Sequence, residues 1–317
     1  MKQTPFEAAH AREWGEFEAF LDGQRSFDPA EMPARFRRLC QSLALAADRH
    51  YSADLVDRLN RLALRGHHAL YANRRRESQQ VLDFMLAGFP RLVRAEWRLV
   101  AAAALLFFGP LLGLTALLQW FPDFVHYLLT PEQIASFHEM YDPAARRLGR
   151  RESDTSFLMF GVYIWNNVRI GFQTFAGGML AGVGSAWFLG SNGVIIGAVA
   201  GYLTQAGFTQ TFWSFVAGHS SFELIAIVLS GAAGFKLGLA LIAPGNASRK
   251  SALVAAARRA MRIMYGAAVL FFVAAFVEAF WSPVTEVGFS TKVIVGVTGW
   301  VVLLAYLLLA GRPRAAG

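Results

Sequence analysis

Six polar or charged side chains lie inside otherwise apolar stretches, and these are the residues that could do chemistry. His219 and Glu223 are four residues apart, so on a helix they share one face. A carboxylate in hydrocarbon costs at least ~2.5 kcal/mol, so Glu223 needs a partner. Histidine and carboxylates can transfer protons, bind a ligand or hold a cation. The full set is Asn166, Asn167, Arg169, His219, Glu223 and Glu278.

Several roles are open for this buried polar cluster. It could be a structural clamp between helices, because pairing Arg169 with Glu223 or Glu278 would neutralise two costly charges. It could equally be a binding or proton-transfer site. A metal site is less favoured, since one histidine and two glutamates are a sparse ligand set and the sequence has no HExxH helix. An intramembrane hydrolase would use His219 and Glu223, but no nucleophile motif supports it.

The composition predicts an all-α, polytopic membrane protein. The 317 residues are 55% hydrophobic and 16% charged, and their mean hydropathy is positive. In a membrane protein we interpret the formal net charge of +8 as basic residues that set the topology and contact anionic lipid. The single cysteine, Cys40, excludes an intrachain disulfide and a multi-cysteine metal site. No zinc-finger spacing or phosphate-binding glycine loop is present, so neither nucleic acid nor a cofactor is expected.

Residues 1–98 are predicted to form a cytoplasmic helical domain. Apolar residues recur at helical spacing in four blocks, at about 6–21, 33–50, 52–70 and 77–85. Ser52 is a suitable N-cap for the third block. Three basic residues, Arg91, Arg94 and Arg98, stand just before the first apolar span and place this domain in the cytoplasm.

Residues 99–311 are predicted to form a transmembrane domain of about six helices. The expected spans cover about 99–121, 157–189, 193–207, 219–241, 263–281 and 291–310. The apolar region 157–189 is too long for one simple span, so it is one bent helix or two elements, with a break at Gly177-Gly178. Asn192-Gly193 is predicted to be a turn.

The predicted topology places both termini in the cytoplasm. Basic residues between 249 and 262, and the arginines of a cytoplasmic tail at 312–317, mark that side. The polar segment 122–156 then lies outside, although Arg146, Arg147, Arg150 and Arg151 argue against it. In this topology the buried polar cluster lies in the outer half of the membrane.

Glycines repeat at intervals that let helices approach closely. They predict helix packing within one chain or between chains, and a homodimer is the preferred assembly. The packing set is Gly178, Gly182, Gly193, Gly197, Gly201, Gly231, Gly234 and Gly238.

An ordered series of short motifs resembles the stage II sporulation protein M family, in the long form found in bacteria that do not sporulate. The series is Asn166-Asn167-x-Arg169, Phe175-x-x-Gly178, Asn192-Gly193-x-x-x-Gly197, His219-x-x-x-Glu223 and Gly231-x-x-Gly234. In the N-terminal region, Leu59-Asn60-Arg61-Leu62 agrees as well. Ser220 departs from the pattern, since the family tends to have glycine after the histidine.

The resemblance implies an integral protein of the bacterial inner membrane, and its polar residues map onto Asn166, Asn167, Arg169, His219 and Glu223. It also implies partners in envelope or peptidoglycan remodelling and a cytoplasmic AAA+ ATPase. We therefore expect a non-enzymatic membrane scaffold. The alternative is a transporter or lipid-handling permease that uses the polar cluster as a binding or proton-transfer site.

Overall fold

The structure is a computed structural model that describes residues 2–24, 28, 31–144, 148–149 and 155–312, without the side chains of 71–78. The elements of these residues are helical, which confirms the all-α prediction. Packing divides the chain into two compact units, Met1–Phe84 and Met85–Gly317. The arginines at 146, 147, 150 and 151 lie outside the described residues, as does most of the predicted tail.

The first unit has three helices, α1 (Gln3–Leu21), α2 (Met32–Asp48) and α3 (Ala53–Asp83). Their apolar positions share one face of each helix and so bury a common core. That core includes Phe6, Trp14, Phe17, Leu39, Leu59 and Leu62. The predicted third and fourth blocks are one continuous helix, because no proline or glycine interrupts the chain between 70 and 77.

The chain passes into the second unit within a π-helical turn at Phe84–Gly88. Its helices are α4 (Phe89–Ala95), α5 (Trp97–Trp120), α6 (Pro131–Tyr141), α7 (Ser156–Ala176), α8 (Val183–Gln205), α9 (Thr209–Ile242), α10 (Arg249–Phe280) and α11 (Phe289–Leu309). The sequence placed the domain boundary at residue 98, where the long apolar helix begins. Packing places it earlier, because the ring of Phe89 lies against Gly266 and Tyr306 of the second unit.

Five helices of the described chain are long and apolar enough to cross a membrane, namely α5, α8, α9, α10 and α11. α7 has a suitable length of 21 residues but carries several polar side chains. Its buried positions, Asn167, Gly171 and Thr174, form one stripe, and its exposed positions are mainly apolar. Because α7 carries these polar side chains, its most apolar stretch is less hydrophobic than those of the other five helices, although it packs in the same bundle.

The apolar region after residue 156 is two helices joined by a tight connection. A short 3-10 turn at Gly177–Met179 ends α7, and Gly182 has φ +86°, a left-handed conformation that favours glycine. The predicted break at Gly177-Gly178 is confirmed. The predicted turn at Asn192-Gly193 is wrong, because α8 runs through it. Asn192 Nδ2 instead donates 2.7 Å to the Phe188 carbonyl, one turn back in the same helix.

α9 is the central helix of the second unit, and its residues are mostly buried. α7 runs parallel to α9, since Gly171 lies near Ser230 and Gly178 near Gly234. It runs antiparallel to α10, since the ring of Phe157 contacts Phe280 at 5.4 Å. α7 therefore extends along the bundle from one end to the other. We name these ends the Glu278 end and the Glu96 end, after the acidic residue at each.

All eight predicted packing glycines lie against other segments of this chain. On α8, a Cβ at Gly197 would be 2.6 Å from the Leu111 carbonyl oxygen of α5, and a Cβ at Gly193 would be even closer to the Phe107 carbonyl oxygen. On α9, a Cβ at Gly238 would be 2.6 Å from the Gly182 Cα. These glycine faces are therefore filled within one chain, and they leave no room there for a second copy.

Candidate functional site

His219 and Glu223 on α9 face Glu278 on α10 at the Glu278 end of the bundle. One ligand atom from each of the three lies within 4.8 Å of the other two. His219 Nε2 is 3.8 Å from Glu223 Oε2, which is longer than a hydrogen bond. The His219 residue is only 4% exposed. The structure thus brings together three of the six residues singled out in the sequence.

The turn that follows α10 orients the imidazole of His219. The Oγ of Ser282 is 3.0 Å from His219 Nδ1, and both groups are buried. Lys292 on α11 donates a 2.7 Å hydrogen bond to the carbonyl of Ser282. Its ammonium also lies 5.7 Å from the centre of the Trp281 ring. Sequence reasoning missed Ser282 and Lys292, although a lone lysine inside an apolar helix was a signal for the latter.

Tyr141, the last residue of α6, lies close to the two carboxylates. Burial raises the pKa of the Tyr141 phenol above its usual range, and the negative charges of Glu278 and Glu223 raise it further. Its ring packs edge-on against Phe215 at 5.9 Å, and Phe215 in turn packs edge-on against His219 at 5.3 Å. The polar segment between α5 and α7 therefore contributes to the surroundings of the site.

The residues of α7 divide between two faces of the helix. Asn167 is 1% exposed, and its Nδ2 has no hydrogen-bond partner among the described residues. Arg169 is exposed, and its Nη2 donates a 3.1 Å hydrogen bond to Asn166 Oδ1. The expected pairing of Arg169 with Glu223 or Glu278 is wrong. Asn167, Gly171 and Thr174 form the inward stripe of α7, and Arg169 falls on the other side.

Glu223 and Glu278 consequently have no arginine or lysine ion-pair partner in the part of the chain that the structure describes. The imidazole of His219 is the basic group beside them, and it would act as a counter-charge only when protonated. Two carboxylates in one buried place repel each other unless a proton or a cation lies between them. This arrangement can therefore hold a proton or a cation.

A second group of charges, centred on the buried Glu96, lies at the opposite end of the bundle. Lys236 Nζ is 2.8 Å from Glu96 Oε1, and Arg259 Nη1 is 3.7 Å from the same oxygen. Glu96 was missed because it precedes the first apolar helix by one residue and lay outside every predicted span.

These features define a polytopic α-helical membrane protein with a buried histidine and two glutamates between its two longest apolar helices. Residues 102–283 match the family model described as Stage II sporulation protein M. The chain belongs to this family. Residues 4–72 match a second family model, described as a domain of unknown function, DUF8413. No curated protein and no solved structure matches the chain significantly.

Proposed function

We propose that the protein is a non-enzymatic membrane scaffold that binds a second membrane protein through α7. The observation that carries this proposal is the position of Arg169, a fixed positive charge on the exposed face of that helix. We further propose an envelope or peptidoglycan-remodelling complex in the bacterial inner membrane. That setting rests on the family and on the basic residues that favour cytoplasmic termini.

Arg169 lies on an exposed, mainly apolar face of α7 that also carries the exposed Gln173. Trp165, Val168 and Phe172 surround it on the same face of α7, and Phe172 is 62% exposed. Arg169 follows Phe157, which contacts the end of α10, by a helical rise of about 18 Å. It precedes Gly178 by about 14 Å. A bilayer that surrounds α9 and α10 therefore also surrounds this arginine.

An arginine at that depth needs a negative partner. Its insertion into hydrocarbon costs about 2.5–3.5 kcal/mol on insertion scales, and Asn166 supplies only a neutral acceptor. A second copy of this chain is a poor partner, since the acids within its long apolar helices are Glu223 and Glu278, which face the bundle interior. We infer that the partner is a different membrane protein with a carboxylate inside one of its own spans.

The first unit extends this scaffold into the cytoplasm in our proposal. Its helices bury their own core, and charged side chains such as Arg58 and Glu18 remain partly exposed and paired across helices. A cytoplasmic AAA+ ATPase is the partner that the family resemblance suggests for this unit.

Site-directed photo-cross-linking in native membranes tests the α7 surface. A photoreactive residue at Phe172 is compared with one at Val301 on α11, because both positions are 62% exposed and apolar. We expect a cross-linked second polypeptide from position 172 and none from position 301. Arg169→Met should reduce the cross-link at least tenfold, whereas Arg169→Lys should largely preserve it.

The identity of the cross-linked peptide decides the outcome. Our proposal requires a membrane span with an acidic residue, and replacement of that acid should weaken the cross-link as Arg169→Met does. Exchange of the two charges, with Arg169→Asp here and arginine in the partner, should restore it. Equal cross-linking at Phe172 and Val301, or a product that contains only two copies of this chain, would contradict the proposal.

A second candidate function is a transporter or lipid-handling permease. It is favoured by the two partly buried carboxylates, which have no arginine or lysine partner within the described chain. Such a protein would lose transport in Glu223→Gln while its fold is retained. A scaffold should keep its partner in the same variant, so partner cross-linking in Glu223→Gln distinguishes the two.

A further inference from the structure

We propose that His219, Glu223 and Glu278 bind one divalent transition-metal cation, which joins α9 to α10. This inference does not depend on the partner of α7. The three side chains come from two helices, and one ligand atom of each lies within 4.8 Å of the others. Zinc is the probe we use, because imidazole nitrogen and carboxylate oxygen are both among its ordinary ligands.

The three ligand atoms lie within 4.8 Å of one another and must move closer together to form an occupied site. Ligands at about 2.0–2.2 Å from a tetrahedral zinc ion are about 3.3 Å from each other. His219 Nε2 and Glu223 Oε2 are 3.8 Å apart, so a small rotation of the glutamate side chain suffices. The two residues are one turn apart on α9, which keeps them on the same face. Glu278 closes the site from α10.

The imidazole is held in the orientation that a metal ligand requires. Ser282 Oγ is 3.0 Å from Nδ1, so in the tautomer with the proton on Nδ1, the lone pair of Nε2 faces Glu223. Neighbours that hydrogen-bond the second ring nitrogen in this way are a regular feature of metal-binding histidines. His219 is more than nine-tenths buried, and its Nε2 is 3.8 Å from Glu223 Oε2, which is beyond hydrogen-bonding distance.

The charge of the site also fits a divalent cation. Two carboxylates and a neutral imidazole carry a charge of −2, which one divalent ion neutralises. Arg169, which could have neutralised one of these charges, lies on the exposed face of α7. A cation at the site therefore removes the cost of two partly buried negative charges that have no arginine or lysine partner among the described residues.

Metal analysis of the purified full-length protein, produced without a polyhistidine tag, tests the proposal. The protein is stripped with EDTA, dialysed and titrated with Zn²⁺ against a fluorescent chelator. We expect one zinc per chain. Glu278→Gln and His219→Gln should weaken binding at least 100-fold, and Ser282→Ala should weaken it about 10–100-fold through loss of imidazole orientation. Glu286→Gln is the matched control, because Glu286 is an exposed acid near the same end of the bundle.

Thermal melting in detergent separates loss of metal from loss of fold. EDTA should lower the Tm of the parent protein and stoichiometric Zn²⁺ should restore it. Neither treatment should move the Tm of Glu278→Gln if that variant folds. The proposal is wrong if the parent binds no zinc and keeps its Tm in EDTA. It is equally wrong if Glu278→Gln binds zinc as tightly as the parent and Glu286→Gln do.

Discussion

Gly178 lies so close to Gly234 that a Cβ on Gly178 would be 2.6 Å from the Gly234 Cα and even nearer to the Gly234 carbonyl group. The connection between α7 and α8 is therefore packed directly against the C-terminal part of the central helix. In return, Gly234 accommodates the Oγ of Ser185, which donates a 2.6 Å hydrogen bond to the Thr174 carbonyl. This contact fixes the position of α7, and with it the position of Arg169.

Gly178→Ala should destabilise the protein, because backbone atoms at Gly234 cannot move aside as a flexible side chain could. Overpacking of this kind costs about 1–3 kcal/mol. The matched control is Gly161→Ala on α7, where a Cβ meets nothing within 4 Å and helix propensity favours alanine. Melting of both variants in detergent checks this. A Gly178→Ala protein that is as stable as Gly161→Ala would disprove the close contact.

Gly197→Leu tests whether the glycine face of α8 serves folding or assembly. The site of the new side chain is filled by the backbone at Leu111 of the same chain. We expect loss of folded protein in size-exclusion chromatography of the detergent extract. A well-folded variant of reduced oligomer mass would show instead that this face joins two chains.

The ion pair between Glu96 and Lys236 should contribute measurably to stability. Glu96→Gln is expected to cost about 1.5–3 kcal/mol, since it leaves a partly buried lysine without its charged partner. Lys236→Met should cost less, because Arg259 lies 3.7 Å from the same carboxylate oxygen. A double-mutant cycle by chemical denaturation checks the coupling. Strict additivity of the two changes would mean that the pair is not formed.

Arg94 should stabilise the end of α11. Its guanidinium donates to the carbonyls of Leu307 at 2.6 Å and Ala310 at 2.7 Å, which are free acceptors of the last turn. Arg94→Ala is expected to cost about 1 kcal/mol or somewhat less and to increase hydrogen exchange in the last turn of α11. Arg98→Ala removes the same charge near the same level from an exposed residue and serves as the control. Equal exchange in both variants would contradict this role for Arg94.

Much of this architecture could be predicted from the sequence, because apolar periodicity and length are strong signals for membrane helices. The break at Gly177-Gly178 illustrates this, and so does the clustering of His219, Glu223 and Glu278 at one end of the bundle. The turn predicted at Asn192-Gly193 failed for a local reason. Asn192 satisfies its amide on the Phe188 carbonyl within the helix, and Gly193 is needed for the approach of Phe107 rather than for a turn.

The pairing of charges could not be predicted, because it depends on which side of a helix faces the bundle. Arg169 and Asn167 are two residues apart and therefore point to different sides of α7. Packing against helices that are distant in the chain decides which side of α7 is buried. The same limit hid Glu96, whose partners Lys236 and Arg259 are more than 100 residues away.

The most direct test of the scaffold proposal is the mass of the complex that contains this chain. Native mass spectrometry is applied to membrane particles excised with a polymer, for the parent protein, Arg169→Leu and Arg169→Lys. We predict that the parent and Arg169→Lys carry a second, different polypeptide, and that Arg169→Leu is folded but has lost it. A parent protein without such a partner, or an unchanged complex in Arg169→Leu, would contradict the proposal.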